Sequence, residues 1–141
     1  MSNFNAFLAT NVKPIENKKL IVSKRFQDEK GNPIEWEIRA IMSDENDELQ
    51  KRATVDIPVK GQRGVYQREV DQIKYMNLLA ATACVYPDLR SAEIQDSYGV
   101  KSPEALITKM LLPNEFTRLV REIVNFSDLE DLDTLTKQAK N

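Results

Sequence analysis

The chain predicts an α+β fold, an N-terminal β-hairpin packed on a mostly helical C-terminal part. Three patterns carry that expectation. Residues 34–41 alternate apolar and polar behind a glycine turn. Helix start and stop signals recur from Ser43 onward, and from Val70 the apolar residues fall three and four apart. At 141 residues the chain has the length of one domain. We assign residues 1–126 to a single α+β domain, with the hairpin at 18–41, a mobile loop at 55–69 and helices from 70. Residues 127–141 are expected to form a terminal helix that either packs on the domain or detaches from it.

Near the N-terminus, Phe4, Phe7 and Leu8 are spaced i, i+3, i+4, which predicts a short helix docking the terminus on the core. In the second hairpin strand Ile34, Trp36, Ile38 and Ala40 share one face, with Glu35, Glu37 and Arg39 on the other. Asp28 suits the first position of a type I turn, and Gly31 the positive φ that follows. A three-residue loop then pairs Phe26 with Ile34 and Val22 with Ile38, leaving Lys24 over Trp36.

Ser43 is a good N-cap, with Asp44 and Glu45 in the first turn and Lys51 and Arg52 in the last, as the helix dipole favours. Pro58, Gly61 and Gly64 make residues 55–69 a mobile loop or a weak edge hairpin. A helix follows over 70–85, with Ile73, Met76, Leu79, Ala80 and Ala83 along one stripe, closed by Tyr86-Pro87-Asp88. Ser91 caps a short helix ending before Gly99. Ser102-Pro103-Glu104 supplies a cap, a proline at the first helical position and an acid. Asn114 caps a helix carrying Phe116, Leu119, Val120, Ile123 and Val124. Ser127-Asp-Leu-Glu130 has capping-box spacing and opens the terminal helix.

Composition narrows the chemistry. Twenty basic and twenty-two acidic side chains leave a formal charge of −2, which gives no footprint for nucleic acid or an anionic membrane. The chain has no histidine and one cysteine, Cys84, so a His-dependent triad, a His-bearing zinc site and an internal disulfide are ruled out. Its four glycines are too dispersed for a phosphate-cradling loop. The first ten residues lack the features of a secretory signal, and the longest apolar run, 78–85, is too short to span a bilayer. These features predict a cytoplasmic protein.

Asp44, Glu45, Asp47 and Glu48 read as an acidic first turn rather than a metal cluster, because neighbouring helical residues radiate around the axis. The same holds for Asp128, Glu130, Asp131 and Asp133. Lys60, Arg63 and Arg68, interleaved with Tyr66, read first as a solvated basic loop, then as a partner contact, and last as a nucleic-acid contact, since three cations in a net-acidic chain make a weak funnel. Cys84 lies among small residues and reads as a buried small hydrophobe. No spacing selects a catalytic, cofactor-binding or metal-ligating set. Phe126, Leu129, Leu132 and Leu135 either pack back onto the domain or form an amphipathic helix face for a partner helix or a second copy.

Two blocks carry a resemblance. One is Ser23-Lys-Arg-Phe-Gln-Asp-Glu-Lys-Gly-Asn-Pro-Ile-Glu-Trp-Glu-Ile-Arg-Ala-Ile41, running on into Glu45-Asn-Asp-Glu-Leu49. The other is Ala92-Glu-Ile-Gln-Asp-Ser-Tyr-Gly-Val100, continuing through Pro103-Glu-Ala-Leu106 to Lys109-Met-Leu-Leu-Pro113. Both resemble the XkdN-like family of phage tail assembly chaperones, from contractile-tailed phages and defective prophages of Gram-positive bacteria. The similarity spans residues 4–125, leaving out 55–69. The family often has glycine after the proline, where this chain has Asn114, and both residues suit a helix cap.

The resemblance implies a role rather than a reaction: coating the aggregation-prone tape measure protein in the host bacterial cytoplasm until tail tube subunits polymerise around it. That role needs no cofactor; the charge balance and short apolar runs predict no nucleic acid and no membrane as partners, and the terminal helix face allows a homo-oligomer. The alternative role is a structural tail or baseplate subunit retained in the particle.

Overall fold

The computed structural model describes residues 3–129. A 3-10 helix (Asn3–Phe7) leads into β1 (Lys18–Leu20), β2 (Trp36–Ile38) and helix α1 (Ser43–Ala53). Strands β3 (Thr54–Pro58) and β4 (Tyr66–Val70) come next, then α2 (Gln72–Ala83) and β5 (Cys84–Tyr86). Helices α3 (Ala92–Ser97), α4 (Pro103–Met110) and α5 (Pro113–Phe126) complete the order. The result is an α+β fold, with the antiparallel sheet β1-β2-β5 against the helices and a separate two-stranded sheet β3-β4. Helix α2 is the hub and touches α1, α4, α5 and β5. Its near-continuous burial, from Tyr75 through Leu78, Leu79, Ala80, Ala81 and Ala83, reflects contacts on several sides.

The hairpin keeps the expected turn and loses the expected register. Near the turn, the Ile34 N–H donates to the Phe26 carbonyl at 2.8 Å, Asp28 Oδ1 accepts from Lys30 and Asn32, and Gly31 has φ of +83°. Further along, Lys18 pairs with Ile38 and Leu20 with Trp36, so Val22 does not face Ile38 and Lys24 does not cover the indole. Residues 21–25 leave the ladder to make tertiary bonds. Val22 and Ser23 are buried in the excursion, and the Arg118 guanidinium donates to the Val22 carbonyl. Phe26 meets Trp36 at a ring-centroid distance of 5.8 Å, with the Arg25 guanidinium 5.3 Å from the Phe26 centroid.

Other boundaries move for identifiable reasons. Ser43 is the first helical residue rather than the cap. Met42 precedes it, and the Glu45 carboxylate accepts the Met42 N–H at 3.2 Å. Asn114 likewise lies inside α5, because Glu115 reaches back to the Leu112 N–H at 2.8 Å. Ser91 and Ser102 cap as expected, accepting from Ile94 and Ala105. Helix α2 starts at Gln72 and stops at Ala83, which leaves Ile73 70% exposed. The next three residues are a strand, because the free edge of β2 takes them: Ile38 pairs with Cys84 and Glu37 with Tyr86 across a bulge. The N-terminal turn is held by local bonds such as Asn11 Nδ2 to the Asn5 carbonyl, 2.8 Å, and Phe4 and Phe7 stay 67% and 83% exposed instead of docking on the core.

The core gathers one face from each layer: Trp36 and Ile38 from the sheet, Leu49 from α1, Leu78 and Leu79 from α2, Leu106 and Ile107 from α4, and Leu119, Val120 and Ile123 from α5. Each such side chain stabilises by about 1.5–3 kcal/mol on leaving water.

Candidate functional site

The surface that most departs from an ordinary soluble exterior is apolar and lies in three places. The first is a groove of about 370 Å³ between the stretch 12–17 and the end of the second hairpin limb. Val12, Pro14, Ile15, Ala40 and Met42 line it, with Lys13, Asn17 and Arg39 at its polar positions. Val12, Ile15 and Met42 are exposed, as are Phe4, Phe7 and Leu8 earlier in the same stretch. Arg39 is fixed by a bidentate pair to Glu45, 2.9 and 2.6 Å, which lowers the carboxyl pKa of Glu45 and raises that of the guanidinium.

The C-terminal end of α5 is bonded to chain positions next to the groove residues. Lys18 Nζ bonds Glu122 at 2.7 Å, and Ser127 Oγ accepts the Ile41 N–H at 2.9 Å. The helix ends in a Schellman turn: Leu129 N–H to the Val124 carbonyl, 3.0 Å, and Asp128 N–H to the Asn125 carbonyl, 3.3 Å, with Asp128 at φ +56°. Ser127 therefore follows one helix instead of opening another at that point, and its hydroxyl already has a partner. Of the four residues singled out for partner binding, Phe126 and Leu129 are partly buried against the core. Leu132 and Leu135 lie outside the described residues.

The second apolar surface is a small cleft of about 150 Å³ lined by Phe26, Ile34, Trp36, Tyr86, Pro87 and Met110. It sits beside the junction of the two sequence blocks. Arg25 Nη2 donates to the Met110 carbonyl at 2.7 Å and to Glu115 at 3.1 Å. The Ser23 hydroxyl, the Leu112 N–H and Arg25 together hold the Glu115 carboxyl down to about 2. The Ser-Lys-Arg-Phe and Lys-Met-Leu-Leu-Pro strings thus meet in space.

The third is the β3-β4 arm, which resolves residues 55–69 as a hairpin. Val55, Ile57 and Val59 alternate onto one face, joined by Val65 through the Val59 N–H to Val65 carbonyl bond of 2.9 Å. That bond places position 58 at a non-bonded pair opposite Tyr66, so Pro58 lacks nothing the ladder needs. The period-two spacing at 55, 57 and 59 was the available strand signal. Pro58 and the glycines masked it. Arg68 sits 3.7 Å from Asp56 on the opposite face, and Gly61 and Gly64 turn the tip with positive φ.

The remaining candidates have structural roles. Cys84 is buried, bonded to the Pro87 carbonyl, and its thiol is pushed up to about 12 by burial. Tyr75 is raised by burial too, its hydroxyl on Asn46. Among the described residues no three Cys, Asp or Glu side chains gather to hold a metal, and no helix is long and apolar enough to cross a membrane.

Comparison with known proteins agrees with the architecture. The phage XkdN-like tail assembly chaperone family model matches residues 4–140. The phage-like element PBSX protein XkdN of Bacillus subtilis (strain 168) is 30% identical over 128 residues, covering 89% of this chain and 85% of that protein. YqbN of the same strain is 28% identical over the same shares. The crystal structure of YqbN superposes with a TM-score of 0.76 at 21% identity, covering 92% of this chain and 99% of that one. With a fold shared along nearly its whole length and a family match from residue 4 to residue 140, the chain belongs to the XkdN-like family of phage tail assembly chaperones.

Proposed function

We propose that this chaperone binds the tape measure protein of its phage tail and keeps it soluble in the host bacterial cytoplasm, without catalysing a reaction. The observation that carries the reading is the exposure of Val12, Ile15 and Met42 in one groove and of Ile57 and Val65 on a projecting arm. Modest, separated apolar contacts suit a long client that must later be released to tube subunits. Phe126 and Leu129 are partly buried at the end of α5, and Leu132 and Leu135 extend the same apolar series in sequence.

Co-expression with the tape measure protein of the same phage tail tests this. The expected result is a co-purifying complex and a larger soluble fraction of the client, both lost on Met42→Ser with Ile57→Ser. No complex and no gain in solubility would overturn it. Stoichiometric copies of the chain in purified particles would point instead to a retained tail or baseplate subunit.

A further inference from the structure

We propose that two copies of this chain join through the outer edge of β4, antiparallel about a two-fold at Gln67, so that their two-stranded arms form one continuous sheet. The ladder's own bonds tell which edge is open. The Val59 N–H donates to the Val65 carbonyl and the Asp71 N–H to the Ala53 carbonyl, each at 2.9 Å, so the bonded pairs of the arm fall on odd positions. The even positions turn their backbone groups outward. On β3 these are Thr54, whose N–H is bonded to the Lys51 carbonyl, then Asp56, then Pro58, which has no N–H. On β4, Tyr66 and Arg68 each turn an N–H and a C=O outward with no partner among the described residues, and the whole strand is exposed. Proline blocks one edge, and the other is ready to pair.

A second copy is the occupant because β4, Tyr66-Gln-Arg-Glu-Val70, is its own complement in one register. In a closed dimer the same residue of both copies sits on the axis. An axis at Arg68 opposes two guanidiniums and one at Glu69 opposes two carboxylates, both unfavourable. Axes at Tyr66 or Val70 run most of the strand against the Gly61–Gly64 turn or the start of α2. An axis at Gln67 opposes two neutral amides and sets Tyr66 against the partner subunit's Arg68. Asp56 already balances Arg68 at 3.7 Å, and Pro58 lies opposite Tyr66. Each row across the joined sheet then reads Asp56, Arg68, Tyr66, Pro58, with a guanidinium beside an aromatic ring at the new seam. Ile57, Val59 and Val65 of both copies come to one side of that sheet, which doubles the apolar surface an arm offers. The inference concerns the free chain and stands whichever client is bound.

Cysteine cross-linking of the full chain tests it. Cys84 is buried, with its thiol pushed up to about 12, so only an introduced thiol reacts. Across a non-bonded antiparallel pair the Cα atoms stand about 4.5 Å apart, well within the roughly 7 Å that a disulfide spans. Gln67→Cys should therefore form disulfide-linked dimers about tenfold faster than Glu69→Cys, whose two copies would lie about 13 Å apart along the strands. Equal rates, or a faster Glu69→Cys, would overturn the proposal. Sedimentation gives an independent reading with no new cysteine. The parent chain should show a dimer whose fraction rises with concentration. Arg68→Pro, which removes from β4 the outward donor that Pro58 removes from β3, should weaken that dimer about tenfold while leaving far-UV circular dichroism unchanged. A parent that stays monomeric up to about 1 mM, or an Arg68→Pro chain that dimerises as well as the parent, would refute the β4 edge as the interface.

Discussion

Replacing Glu115 by glutamine tests the junction that ties the hairpin excursion to α5. The carboxylate receives the Ser23 hydroxyl, the Leu112 N–H at 2.8 Å and Arg25 at 3.1 Å, and its side chain is only 15% exposed. Its folded pKa of about 2 lies below the ordinary 4.5. That gap would be worth at most about 3 kcal/mol if no water screened it. Arg25 is 51% exposed, so screening brings the expected contribution to about 1 kcal/mol. Because the folded pKa is depressed, the contribution is complete above pH 4.5 and drains away as pH falls towards 2. Urea titrations at a series of pH values measure it. At pH 7 the Glu115→Gln midpoint should fall by about 0.5 M, and the gap between variant and parent should close by pH 2. A gap that stays constant across that range would refute the electrostatic reasoning, as would no gap at neutral pH.

Asp128→Gly should raise stability by up to about 1 kcal/mol in thermal or chemical denaturation, because Asp128 holds φ +56° at the end of α5 without the freedom glycine has there. A chain ended at Phe126 should be about 2 kcal/mol less stable than one ended at Leu129, through the lost Ser127–Ile41 bond and Leu129 contacts, as read from their urea midpoints. Ile38→Ala, at a fully buried strand position, should cost about 2–5 kcal/mol by urea titration. Ile57→Ser on the arm should move stability by less than about 0.5 kcal/mol, and its effect should be read in client solubility instead.

What the sequence made legible were features settled within a few residues. The burial of Trp36 and Ile38 on one face, the Asp28–Gly31 turn and the Ser91 and Ser102 caps each follow from residues a few positions apart, and each is present. What it hid depends on partners far along the chain. Residues 21–25 leave the hairpin because Arg118, Met110 and Glu115 offer bonds that a continuous ladder would forgo. Cys84–Tyr86 becomes a strand because β2 has an open edge, although the residues before it are helical. Ser127 has the spacing of a helix start, yet Ile41 claims its hydroxyl from 86 residues away. The candidate surface was legible only in part. Phe126 and Leu129, singled out by their spacing, are partly buried against the core, whereas the groove is built from Val12, Ile15 and Met42, whose exposure no periodicity announces.

The β3-β4 arm leaves and re-enters the fold at nearly one point, where the Asp71 N–H meets the Ala53 carbonyl at 2.9 Å. Its seventeen-odd residues hang from that clasp, so the arm can change length or sequence while α1 and α2 keep their packing. It is a natural splice position: a reporter inserted at its Gly61–Gly64 tip, or a short turn grafted in its place, should be accepted without redesign of the body, and related chains are free to diverge there first.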